Sequence, residues 1–341
     1  MSKKHIWRMI FTVSLLLAMG AMAQATETLK MATIAPGSSA YLTMTTMATM
    51  INQAQDDLQI KVDATGAATK HMIDLAEGKI DICMTNPNIY FFMKNQKVMY
   101  KKLKDAPALS ENLRLLFWFP YGQYHFVTYA DSGIKELKDM KGKKVFLGPP
   151  GGGAWNAARE WVVATTGMQP NKEFDNVKGS WSSAFQGFQD RQFDVYVVGG
   201  IAPFPQVEQL ALTSSLHLLG LTKKEYEANP EAIKVTTKPG REVGIIPVGV
   251  YGKGVDNTQD VYTLGSIVGV AINKKMENDT AYKLTKLFWE QTKENTKTHP
   301  WLKHLTMDYA VQNGGMQLHP GAAKYYKAVS YTHLTLPTNR E

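Results

Sequence analysis

The 341-residue chain has a single cysteine, Cys83, so no disulfide can staple it and its stability must come from a buried core. Cys83 lies in an apolar run with no histidine-bearing motif beside it, which reads as packing rather than nucleophilic chemistry. No Gly-Lys-Ser/Thr follows a glycine-rich loop, and no Gly-x-Ser-x-Gly or His-Glu-x-x-His is present. Those gaps exclude, by motif, P-loop, α/β-hydrolase and zinc-protease chemistry. His125, His217, His299, His304 and His319 lack metal-ligand spacing. The net charge of +8 is spread out, with Lys101, Lys102 and Lys104 the densest run, and no aromatics interleave a basic stripe. A solvated surface is expected, with no cofactor and no nucleic acid as partner.

What is present is ordinary for a globular protein: 44% hydrophobic and 20% charged residues, over a length that suits two domains. The start reads as a secretory signal over Met1–Ala23. Lys3, Lys4 and Arg8 precede an apolar stretch to Leu17, and Ala21-Met22-Ala23 gives a small-x-small cleavage site, with Ala25 as a second option. The apolar stretch is too short to span a bilayer, and no lipid-anchor cysteine follows it. An exported protein of the periplasm is expected. At the other end, Val329–Glu341 (VSYTHLTLPTNRE) continues no pattern and resembles translated read-through of a sequencing adapter.

Leu29–Ile34, Ile60–Val62 and Ile80–Met84 read as strands separated by helices at Tyr41–Gln55 and Ala68–Glu77, a parallel-sheet unit. Ligand sites in such sheets lie beyond the carboxyl ends of the strands. Those ends carry Ser38, Ser39 and Tyr41, then Ala68 and Thr69, then Asn86 and Tyr90. Leu113–Phe119 and Tyr124–Ala130 read as two further strands, after which the pattern restarts. Helix, tight turn, aspartate and strand recur at Met72–Cys83 and at Ala184–Val195, placing Asp81 and Asp194 as turn and strand-start residues. Two similar sheets from one chain imply two lobes with a cleft between them.

The second unit opens on Lys143–Gly167. Val145–Leu147 reads as a strand, Gly148-Pro149-Pro150-Gly151-Gly152-Gly153 as a loop, and Ala154–Thr166 as a helix stopped by Gly167. A helix start fed by such a loop leaves N–H groups free to hold an anion. Gly152, Gly153, Ala154 and Trp155 line that start, with Trp181 and Ser182 at the next helix and Gly200 and Pro203 in the loop after Phe193–Val198. Lys70, His71 and Arg159 are the nearest candidate cations.

Pro36–Tyr41, the Gly148–Gly153 loop, Asp194–Gly200 with Pro203, Ile246-Pro247-Val248-Gly249-Val250-Tyr251 and Leu318-His319-Pro320-Gly321-Ala322 together resemble the TAXI solute receptors of tripartite ATP-independent periplasmic (TRAP) transporters. The resemblance runs from Leu29 to Lys327. It implies a type II periplasmic-binding fold of class α/β, with two lobes joined by two crossing strands, Tyr124–Ala130 and Leu264–Ile272. Lobe I would comprise 29–125 plus 266–328, and lobe II 126–265. It also implies a monomeric receptor, not an enzyme, that hands a small organic anion, often a carboxylate such as glutamate, to a TRAP permease. A sensor feeding a membrane kinase shares the fold and is the second reading.

The sequence departs from the family where hydroxyls are usual, at Ala40, Ala68, Gly152 and Ala154. Each lost hydrogen bond is worth roughly 0.5–1.5 kcal/mol, more to a charged group. The expectation is therefore an anion with a larger apolar or aromatic body than glutamate, its carboxylate on the N–H groups of Gly152–Trp155 and its body against Trp155, Tyr41 and Tyr90.

Overall fold

The computed structural model describes residues 26–329. The leader expected at 1–23 and the whole of the tail beyond Val329 lie outside them. The ten strands are β1 (Glu27–Ala32), β2 (Leu58–Asp63), β3 (Ile82–Thr85), β4 (Leu113–Tyr129), β5 (Lys144–Phe146), β6 (Asp175–Asn176), β7 (Val195–Gly200), β8 (Leu216–Leu219), β9 (Arg241–Ile246) and β10 (Val261–Asn273). The helices that matter below are α1 (Ser39–Ala54), α2 (Ala68–Ala76), α3 (Pro87–Lys94), α4 (Gly153–Thr166), α5 (Trp181–Gln189), α6 (Asn278–Asn295) and α7 (Pro320–Ala328). No helix among the described residues is long and apolar enough to cross a membrane.

The strands run β2-β1-β3-β10-β4-β7-β5-β6, with β8 paired to β4 and β9 to β10. The order is the same read inward from either end: β2-β1-β3 onto β10 in one lobe, β6-β5-β7 onto β4 in the other. Pairs within each triplet are parallel, and β4 and β10 are antiparallel to their neighbours. The two triplets are also fastened alike. Asp81 pairs its backbone N–H with the Lys30 carbonyl (2.9 Å) and accepts from the Lys30 N–H (2.8 Å). Asp194 does the same with Lys144, at 2.9 and 2.7 Å. The recurring helix–turn–aspartate stretch is thus one device used twice, and both carboxylates serve as strand locks.

β4 and β10 cross between the lobes. The sequence suggested two strands, Leu113–Phe119 and Tyr124–Ala130. The structure has one 17-residue strand. What changes at that point is the partner: the β10 ladder ends at Pro120 opposite Ile267, and the β7 ladder starts at Gln123 opposite Gly200. Gly122 turns the strand at φ +96, and a Cβ there would meet the Gly200 carbonyl carbon at 2.2 Å. Only glycine fits that handover. Elements not foreseen include α3 after Asn86, the short helix Ala106–Ser110, β6, and β9 ahead of Ile246-Pro247. The charged stretch at 223–236 forms two short helices, Lys223–Glu227 and Pro230–Thr236, broken at Asn229-Pro230.

The core runs under both lobes and is rich in aromatics. Phe117 of β4 stacks on Phe288 of α6 at 4.2 Å, and Phe146 stacks on Tyr196 at 5.8 Å. Cys83 is fully buried, and burial raises its thiol pKa far above the ordinary range, which suits the packing role. The two motifs that carried the family resemblance at the C-terminal side are structural as well. His319 caps α7, its Nδ1 accepting from the Gly321 N–H at 3.2 Å. Gly321 lets α7 close on α6, where a Cβ would sit 2.1 Å from the Asn278 carbonyl oxygen. Tyr251 accepts from the Phe204 N–H (2.8 Å) and donates to His125 Nε2 (2.7 Å), while His125 Nδ1–H donates to the Gln123 carbonyl at 3.0 Å.

Candidate functional site

The lobes meet around a cavity of about 300 Å³, at the lower end of the range for small-molecule sites. Lobe I contributes the strand ends and helix starts at Ile34–Ala35, Gly66–Thr69 and Met84–Ile89; lobe II contributes Pro149–Ala154 and Ser180–Trp181. The floor comes from the crossing strands and β9: Tyr121 and Tyr124, Ser266 and Val268, and Arg241. The lobes approach closely at the rim. A Cβ on Gly37 of lobe I would lie 3.1 Å from Trp181, and one on Gly153 of lobe II 3.2 Å from Ile89. Asn86 of α3 donates to the Ile267 carbonyl at 2.6 Å, and Ser39 donates to the Tyr121 carbonyl, so lobe I is tied to both crossing strands.

Five helices begin near this cavity, and they divide by how they are capped. α1 is capped by Ser38, α3 by Asn86 and α5 by Ser180, each through its side chain. α2 and α4 have Ala67 and Gly152 at their N-caps, with no side-chain cap. The two uncapped starts face the cavity from opposite lobes. Their first N–H groups and the positive ends of their dipoles therefore point at whatever fills it. Gly148 (φ +124) and Gly151 (φ +75) bend the loop into α4; a Cβ on Gly148 would sit 3.1 Å from the Trp155 nitrogen.

Arg241 supplies the charge. Its side chain is 7% exposed, and it donates from Nη1 to Ser266 Oγ at 2.6 Å. Its Nε has no partner, and the nearest carboxylate oxygen, on Glu160, is 4.0 Å from Nη2. Glu160 is itself bonded to Lys238, so these three groups keep one net positive charge. A guanidinium has five donors, and burying one with its donors incompletely paired is costly unless an anion completes it. Burial raises the Tyr121 and Tyr124 phenols above their ordinary pKa, with Arg241 and Ser266 opposing the shift at Tyr124; both are protonated at neutral pH.

Of the residues expected at the site, Ala68, Thr69, Asn86, Gly152, Gly153, Ala154 and Trp181 line the cavity. The others lie off its wall. Ser38 is spent on the α1 cap and Ser39 on Tyr121. Tyr41 is half-buried and Tyr90 buried, and neither lines the cavity. Trp155 turns away and donates to Asn176 of β6 at 3.0 Å. Ser182 is exposed, as is Pro203, and Gly200 is covered by the Phe204 ring. The apolar wall is thus formed by Trp181, Tyr121 and Tyr124 rather than by Trp155, Tyr41 and Tyr90. The three candidate cations are elsewhere too: Lys70 is exposed, His71 bonds the Thr65 carbonyl, and Arg159 lies 5.8 Å over the Trp155 ring. Arg241 was missed because β9 was not foreseen, and a charged residue outside an expected element reads as surface. The available signal was Pro239-Gly240 immediately before it, a tight turn that fixes where the side chain goes. A larger groove, about 620 Å³, lies on the far edge of lobe II, but there His217 and Lys135 both pair with Asp256, leaving no unmet charge among them.

Two α/β lobes closed over a cavity at their strand ends define a two-lobed α/β binding architecture. The chain belongs to the NMT1-like family, whose model matches residues 31–329. Its structure is similar to that of the alkanesulfonate-binding protein SsuA from Xanthomonas axonopodis pv. citri bound to MOPS (15% identity, 89% of this chain and 85% of that one, TM-score 0.47). It is also similar to the periplasmic aliphatic sulphonate binding protein SsuA from Escherichia coli (12% identity, 89% and 79%, TM-score 0.43).

Proposed function

We propose that the protein is a periplasmic solute-binding receptor, neither enzyme nor cofactor carrier, that captures a small organic anion, a carboxylate, between its lobes. Its partner is a TRAP-type secondary transporter, a reading that rests on the TAXI-like motifs at Pro36–Tyr41, Ile246–Tyr251 and Leu318–Ala322. In the same reading the leader is removed after Ala23 or Ala25, lobe I covers 29–125 plus 266–328, and the mature chain acts as a monomer. The observation that carries the anion is Arg241: a buried guanidinium short of partners, facing a cavity onto which two uncapped helices open. The carboxylate completes the guanidinium fork and takes N–H groups from the helix starts. Binding stabilises the closed arrangement because only there do both lobes touch the solute.

Trp181 lines the cavity and supplies a reporter. Titrating purified protein with a panel of carboxylates is expected to change tryptophan fluorescence saturably. Trp181→Phe is expected to lose most of that change, while Trp155→Phe keeps it. A panel that elicits no response, from protein also shown by native mass spectrometry to carry no solute, would remove the receptor reading.

A further inference from the structure

The wall of the cavity is one-sided in charge. Among its 21 lining residues Arg241 is charged, and none is aspartate or glutamate. Glu160, the acidic group nearest the guanidinium, does not line the cavity and is already bonded to Lys238. The polar side chains on the wall are largely committed. Asn86 caps α3 and bonds the Ile267 carbonyl, Ser180 is locked in a capping box with Ser183, and Ser266 accepts from Arg241. The dipoles of α2 and α4 add positive potential from both lobes. The remaining side chains include the Thr69 hydroxyl, the apolar Met84, Ile89 and Val268, and the aromatic Tyr121, Tyr124 and Trp181, with the Tyr121 hydroxyl without a partner; these hydroxyls are neutral and offer an ammonium no countercharge.

An ammonium group placed here would lose its water, meet a guanidinium and two helix N-termini of its own sign, and find no carboxylate. Burying a charge without a partner is among the costliest steps a binding site can take. Resting on the reading of the cavity as an anion site, we infer that its solute is an organic acid without an amino group, with an apolar or aromatic body, and that the site rejects amino acids. The discrimination works through repulsion as much as attraction, by leaving the ammonium nowhere to go.

The test compares acids that differ only in the amino group: 3-phenylpropanoate with phenylalanine, 4-methylpentanoate with leucine, and glutarate with glutamate. Each is titrated calorimetrically into protein dialysed free of carried-over solute. Wherever a pair binds, the acid is expected to bind at least about 100-fold tighter than its amino acid, which is roughly 2.7 kcal/mol. Equal or tighter binding of an amino acid overturns the inference and leaves the anion reading standing. Failure of every acid, with no bound anion in native mass spectra, overturns both. Thr69→Asp provides a second arm. It puts a carboxylate on the wall, in the first turn of α2 where the helix dipole favours it, so folding is retained. The gap within each pair is expected to narrow at least tenfold; an unchanged gap means that charge is not what excludes the ammonium, and the inference falls.

Discussion

Replacing Arg241 with methionine separates a binding group from a structural one, because the two roles predict opposite effects on stability. The substitution removes the charge-assisted hydrogen bond to Ser266, worth about 1.5–3 kcal/mol. It also relieves the desolvation of a guanidinium whose side chain is 7% exposed, several kcal/mol in the other direction. Methionine fills the volume without a polar atom, and Glu160 keeps Lys238. Solute-free Arg241→Met is therefore expected within about 1 kcal/mol of the native chain, or more stable than it. The solute tells the opposite story. At a solute concentration 100 times its dissociation constant the native protein gains about 2.7 kcal/mol. A variant binding 100-fold more weakly gains only about 0.4 kcal/mol at that concentration. Urea unfolding with and without solute measures both quantities, and Arg241→Lys, which keeps the charge but loses the fork, is expected to fall between. A solute-free variant destabilised by more than about 3 kcal/mol that still gains fully from solute would make Arg241 a strut and refute the assignment.

Two further outcomes concern the scaffold. Tyr251→Phe leaves His125 Nε2 and the Phe204 N–H buried without partners, which is expected to cost about 2–4 kcal/mol and lower the melting temperature by roughly 5–15 °C, with solute affinity unchanged; a loss below about 1 kcal/mol would show that the network is slack. Acid is also expected to weaken the fold. Burial holds the His125 imidazole at about 4 against an ordinary 6.5, so between those values the unfolded chain binds a proton that the folded chain refuses. The stability due to neutral His125 is full above pH 6.5 and is lost as pH falls toward 4, by up to about 1.4 kcal/mol per unit. His71, His304 and His319 shift the same way, all through burial, while Glu242, raised by burial, opposes them above its ordinary 4.5. Urea midpoints at pH 7.5 and 5.0 check the slope, and equal midpoints would count against it.

The sequence made the repeated unit legible because its signals are local: glycine and proline punctuation, the period of apolar residues, and an aspartate at each strand start. Trp181–Gln189 matches its helix residue for residue, and the α4 start is displaced by one. The uncapped helix starts were equally readable, since neither Ala67 nor Gly152 can cap. Arg241 was not readable in this way. Its place depends on β9 pairing with β10 so that Arg241 stands opposite Ser266, a contact 25 residues apart in the chain that no window of periodicity sees. Trp155 and Trp181 show a different limit. Both lie in the first turn of a helix at a strand end, and only the packing of the loop ahead decides that one faces Asn176 and the other the cavity.

The handover at Gly122 carries a mechanical consequence. β4 and β10 are the beams that join the lobes, and Tyr121 and Ser266 on those same beams form the cavity floor. Whatever occupies the cavity therefore sits at the fulcrum, where a small change in twist needs little movement of the floor. The rim, where Gly37 meets Trp181 and Gly153 meets Ile89, lies at the end of the lever arm, and the same twist sweeps a larger arc there. In the receptor reading, a short displacement at this pivot would become a long one at the rim.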